Sequence, residues 1–194
     1  MALTVKNLYK SFGDKKIFED FSYSFADNGA YALVGNSGIG KTTLLRIIAG
    51  LDKKYQGEVL NGGVKNTSFA FQEYRLFPRL TALENAVIPS GDLKDEHITK
   101  KATELLLRLG FTENEIQLYP DELSGGMKQR VSLVRALLRD KPILLLDEPS
   151  KELDYELKTT LYTIIKEEAN KRLVIIVTHE LSELENTSIT KIIL

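Results

Sequence analysis

The sequence predicts an α/β fold with a mostly parallel sheet, an N-terminal antiparallel β-subdomain and an inserted helical subdomain. Three observations carry that prediction. Two continuous apolar runs, Ile143-Leu144-Leu145-Leu146 and Val174-Ile175-Ile176-Val177, read as strands buried on both faces, as in a parallel sheet. Residues 3–25 alternate instead, with Leu3 and Val5 and then Phe21, Tyr23 and Phe25 two apart around Ser11-Phe12-Gly13-Asp14-Lys15, so two antiparallel strands flank a turn. The middle of the chain has helical spacing at Ile98, Ala102, Leu105, Leu106 and Leu109, and two capping boxes, Thr81-x-x-Glu84 and Thr112-x-x-Glu115.

The other elements follow in order. Tyr31-Ala32-Leu33-Val34 is a short strand ending at Gly35, and Lys41 to Ala49 is a helix closed by Gly50. Gly57 to Phe71 is strand-like, with a turn at Asn61-Gly62-Gly63. A helix containing Val131, Leu133, Val134, Ala136, Leu137 and Leu138 precedes the first buried run, and another, Asp154 to Ala169, joins the two runs. With 194 residues, 43% of them apolar, one domain is expected. Its α/β core with the β-subdomain takes 1–72 and 140–194, and the helical subdomain takes 73–139.

Composition excludes several classes. There is no cysteine, and His97 and His179 are the only histidines, which leaves no basis for a zinc site or a thiol nucleophile. Lysine and arginine (26) balance aspartate and glutamate (27), so no global basic field attracts nucleic acid. The amino terminus lacks a basic-then-apolar leader, and no apolar run approaches the ~18 residues that span a bilayer. A soluble, cytoplasmic protein is expected, reaching a membrane only through a partner.

Three segments carry chemistry. Gly35-Asn36-Ser37-Gly38-Ile39-Gly40-Lys41-Thr42, continued by Thr43, lies between a strand and a helix and fits the phosphate loop of a P-loop NTPase core. Its glycines let backbone N–H groups turn toward phosphate oxygens, the helix adds its positive end, Lys41 neutralises charge and Thr42 offers a hydroxyl to magnesium. In Leu144-Leu145-Leu146-Asp147-Glu148-Pro149, two carboxylates end a buried strand, where open α/β sheets place their ligands. Asp147 is the expected magnesium partner and Glu148 the general base for an attacking water. The third segment, Leu123-Ser124-Gly125-Gly126-Met127-Lys128-Gln129-Arg130, opens a helix with a cap and two glycines, a second anion site. Two such sites in one chain imply two ligands, or two chains sharing each ligand.

In this order the three segments resemble the ATPase subunits of ABC transporters, over nearly the whole chain. The resemblance implies that Gln72 ligates magnesium and senses a membrane partner, that His179 reaches the γ-phosphate, and that Phe12 stacks on adenine, with Tyr9 as the competing aromatic. It also implies a head-to-tail homodimer in which ATP on one phosphate loop is covered by Ser124, Gly125 and Gly126 of the other chain. The catalytic set is then Lys41, Glu148 and His179, with ATP and Mg2+ as cofactors. Phe71-Gln72-Glu73-Tyr74-Arg75-Leu76-Phe77-Pro78 and Met127-Lys128-Gln129-Arg130 are similar to importers of nitrate, sulfonate or taurine type. A permease subunit would hold the chain on the inner face of the cell membrane. Exporter ATPases, and soluble relatives acting in DNA repair or translation, are the alternatives. One departure stands out: Lys151-Glu152 places a charged pair where such chains commonly carry small residues.

Overall fold

The alternating amino terminus forms β1 (Thr4–Phe12) and β2 (Lys15–Ser24), paired antiparallel around Gly13. This computed structural model describes residues 2–90, 95–179 and 188–194. β4 (Gln56–Leu60) pairs antiparallel with the other edge of β1, giving a three-stranded sheet of order β2-β1-β4. Leu3, Val5, Leu8, Phe18 and Phe25 turn inward from these segments and are fully or nearly fully buried.

Among the described residues the second sheet has five strands, in the order β5 (Thr67–Ala70), β6 (Ile143–Asp147), β7 (Leu173–Val177), β3 (Gly29–Val34) and β8 (Thr190–Ile193). β3 (Gly29–Val34), β6 (Ile143–Asp147) and β7 (Leu173–Val177) are its centre, with β7 parallel to both neighbours. Every residue of β6 and β7 is buried, as their unbroken apolar runs require. Helix α1 (Lys41–Ile48) places Leu44, Leu45, Ile47 and Ile48 against this sheet, in one cluster with Leu33, Ile143, Leu145, Leu173, Ile175 and Val177.

The stretch from Gly57 to Phe71 divides between the two sheets, since β5 (Thr67–Ala70) edges the parallel one. Its turn is anchored elsewhere: the Gly63 N–H donates to the carbonyl of Ile48 at 2.7 Å, carrying the chain past the end of α1. The last strand, β8 (Thr190–Ile193), runs parallel to β3 and had no signal in the sequence; it is short, and Ile192 is its one buried residue.

The described chain packs as two units, Met1–Phe69 with Lys141–Asp147 and Ile165–Leu194, and Ala70–Asp140 with Glu148–Ile164. In the second, α4 (Gly125–Leu137) packs on α2 (Ala82–Val87) and α3 (Glu96–Arg108). The Thr81/Glu84 capping box forms on α2. The Thr112/Glu115 box also forms, but it opens a single 3-10 turn, Glu115–Gln117, with Pro120 close behind. Helix α5 (Tyr155–Ala169) begins after Asp154, whose carboxylate accepts from the Leu157 N–H at 2.9 Å.

Candidate nucleotide site

In the first unit, β3 ends at Val34 and the chain curls through Gly35 to Gly40 before α1 begins. Asn36 and Ile39 close a turn, with the Ile39 N–H on the Asn36 carbonyl at 3.3 Å. Gly38 and Gly40 lie at φ +75° and +120°, the second essentially closed to residues with a Cβ. Gly40 is also the N-cap of α1, so no side chain there accepts from the first helical turn. Asn36, Ser37, Gly38 and Ile39 are exposed. A glycine-lined curl leading into an uncapped helix start suits an anion with several oxygens.

Lys41 is buried, and its ammonium donates to the carbonyls of Gly35 (2.7 Å) and Asn36 (3.0 Å). Lys15, at the start of β2, also approaches the loop, 3.4 Å from the Gly38 carbonyl, a contact that no sequence motif marks. The Thr42 hydroxyl donates to Asp147 Oδ1 at 3.0 Å across 105 residues. Asp147 ends β6 and is 4% exposed. A hydroxyl beside a buried carboxylate is a hard-oxygen pair that fits a Mg2+ completed by phosphate oxygens. Among the described residues no cluster of three or more His, Cys, Asp or Glu offers an all-protein cage.

Phe12 ends β1 and is 55% exposed, and the Lys10 ammonium lies 4.6 Å from its ring centroid. Tyr9 is exposed to 44%. Lys10 is itself buried in a 2.6 Å ion pair with Asp52; burial pushes the Asp52 carboxyl up, but the Lys10 and Lys54 contacts hold it below the ordinary range. His179 is exposed two residues after β7.

The second unit carries the other predicted residues. Ser124 caps α4 by accepting from the Met127 N–H at 3.2 Å. A Cβ on Gly125 would stand 2.9 Å from Glu152 Oε2 and 3.2 Å from Tyr74 Oη, so a larger residue there would push these two side-chain ends aside. The Tyr74 hydroxyl reaches Glu152 Oε2 at 3.5 Å; burial and then the Glu152 charge push its phenol pKa up. Glu148 sits at φ +53°, a left-handed backbone uncommon for a non-glycine residue. Its carboxylate accepts from Gln72 Nε2 at 3.2 Å and lies 3.7 Å from Lys151 Nζ.

Two long-range supports left only a weak trace in the sequence. Gln129 Nε2 donates to the Glu148 carbonyl at 2.7 Å. Arg135 donates to the carbonyls of Tyr74 and Arg75, both at 2.8 Å. Burial, and then the Arg75 charge, push the Arg135 pKa down. Both residues are polar positions inside the apolar pattern of α4, which was the one available hint.

The family model described as ABC transporter matches residues 18–151. The aliphatic sulfonates import ATP-binding protein SsuB of Bacillus subtilis (strain 168) is 40% identical over 195 residues, covering 94% of this chain and 76% of that one. The sulfate/thiosulfate import ATP-binding protein CysA of Burkholderia mallei is 39% identical over 175 residues, 83% of this chain and 50% of that one. A dimeric ATP-binding cassette in a post-hydrolysis state, bound to ADP and Pi, superposes with a TM-score of 0.79 at 30% identity, covering 93% of this chain and 89% of that one. The chain belongs to the ABC transporter family and is one of its ATP-binding, ATP-hydrolysing subunits.

Proposed function

We propose that this ATPase energises an importer, docked on a separate permease at the cytoplasmic face of the membrane. The observation that carries this reading is the 40% identity to a sulfonate-import subunit across 94% of the chain. No helix among the described residues is long and apolar enough to cross a membrane. Phe77 is half exposed and suits the docking side.

The N–H groups between Gly35 and Thr43 cradle the phosphates of ATP, and Lys41 exchanges its loop carbonyls for phosphate oxygens. Thr42, Asp147 and Gln72 would hold Mg2+, which when bound neutralises phosphate charge. Glu148 takes a proton from the attacking water, His179 contacts the γ-phosphate, and Phe12 stacks on the adenine. Ser124, Gly125 and Gly126 of a second copy cover the same ATP, so binding closes a homodimer and hydrolysis opens it.

Glu148→Gln tests this directly. It keeps the shape of the side chain and removes the base, so phosphate release falls by at least about a hundredfold while ATP binding persists. Sedimentation with ATP then shows an accumulated dimer. Hydrolysis at the parental rate removes Glu148 as the base; a monomer at saturating ATP, even beside its permease, ends the shared-site mechanism.

A further inference from the structure

We propose that Gln129 is a positioning residue for hydrolysis, holding the backbone of Glu148 in the conformation from which its carboxylate works. The inference rests on the reading of Glu148 as general base.

Glu148 needs such a restraint for two reasons. Its φ of +53° is disfavoured for a residue with a Cβ, and the proline that follows it favours an extended backbone at this position. Pro149 has no N–H, so the peptide plane between Glu148 and Pro149 can be anchored by a hydrogen bond only through the Glu148 carbonyl. Donors that reach that carbonyl include the Lys151 N–H at 3.3 Å, a local turn contact, and Gln129 Nε2 at 2.7 Å, from a helix 19 residues earlier. The shorter bond is also the one from a helix packed on two others.

Gln129 is 7% exposed, and its buried Oε1 has no hydrogen-bond partner among the described residues. An apolar side chain of the same length would avoid that orphaned oxygen, so the amide is explained by its donor. Only the NH2 group can bond a carbonyl, which also fixes the orientation of the amide. Gln72 and Lys151 approach the Glu148 carboxylate, whereas Gln129 restrains the backbone from which that carboxylate projects.

The test compares Gln129→Met, with the same reach and no donor, and Gln129→Asn, one methylene too short, in the full chain. Phosphate release from Mg2+-ATP is measured per nucleotide-bound chain, with ATP affinity, KM and Tm. Both variants should lose about tenfold in kcat with KM and ATP affinity unchanged, the rate equivalent of one hydrogen bond. In a Glu148→Gln background, adding Gln129→Met should cause no further loss, because the restraint then acts on a group that no longer takes the proton. A purely structural role would lower Tm and the folded fraction but leave kcat per bound nucleotide intact. Parental kcat in folded variants, or an undiminished further loss in the Glu148→Gln background, overturns the proposal. Should the Met variant not fold, the Asn variant decides. Parental kcat in Glu148→Gln alone strikes the reading of the base instead, and is seen separately.

Discussion

The two units solve the same backbone problem with different residues. In the first, the non-glycine residues at positive φ among those described are Asn7, Asp20 and Asn61, and the phosphate loop turns on Gly35, Gly38 and Gly40. Glycine, asparagine and aspartate tolerate that region, and Asn7 and Asp20 also bond each other at 2.7 Å. In the second unit the positive-φ residues among those described are Arg75, Glu148, Glu152 and one glycine, Gly110. Three long charged side chains occupy a conformation they do not favour, and each lies in a loop bound by side chains distant in sequence. Arg135 holds the Tyr74-Arg75 backbone, Gln129 holds Glu148, and Tyr74 contacts Glu152. The first unit makes these turns with residues that tolerate the conformation; the second places residues that do not in loops contacted by distant side chains, two of them borne on α4.

The largest effect should come from closing the glycine solution. At Gly40 a Cβ would stand 2.5 Å from Ile17 Cγ2 and 2.9 Å from Phe18 Cζ, at φ +120°. Gly40→Ala should therefore combine backbone strain with overpacking and cost about 3 kcal/mol or more, read by chemical denaturation. A smaller loss would mean that the β2 side chains give way easily.

Removing the helix-borne restraint is next. Arg135→Met keeps the length of the stem but leaves the Tyr74 and Arg75 carbonyls without their charged donor, at about 2–3 kcal/mol of stability. If the Tyr74-Arg75 loop is held from α4, hydrogen exchange in residues 73–77 should quicken more than in α4 itself.

The smallest change should run the other way. Glu152→Gly relieves the left-handed backbone at φ +67° while giving up only the 3.5 Å contact with Tyr74, so stability should rise by about 0.5–1 kcal/mol. A measured loss would show that the Tyr74–Glu152 contact over Gly125 outweighs the strain.

Most of the fold was legible because burial on two faces and burial on one leave different periods. The runs at 143–146 and 174–177 fixed the parallel centre, and the alternation at 3–25 fixed the antiparallel pair. The division of residues 57–71 between two sheets was not legible, because local turn signals do not say which strand lies alongside. The phosphate loop and the Asp147-Glu148 end of β6 were legible as candidates, since their glycines and acids are contiguous and sit between recognisable elements.

The sequence by itself therefore determined the class of fold, the family and the residues proposed to touch ATP, because each is a short pattern of residue types whose chemistry is local. Tertiary structure alone decided which of those residues are held, and by what. The 3.0 Å bond from Thr42 to Asp147 closes 105 residues, and Gln129 reaches a carbonyl whose conformation no propensity predicts. The physical reason is that a backbone carbonyl is the same group in every residue. Its partner is chosen by where packed helices and strands bring a donor, and a one-dimensional pattern carries no record of that meeting.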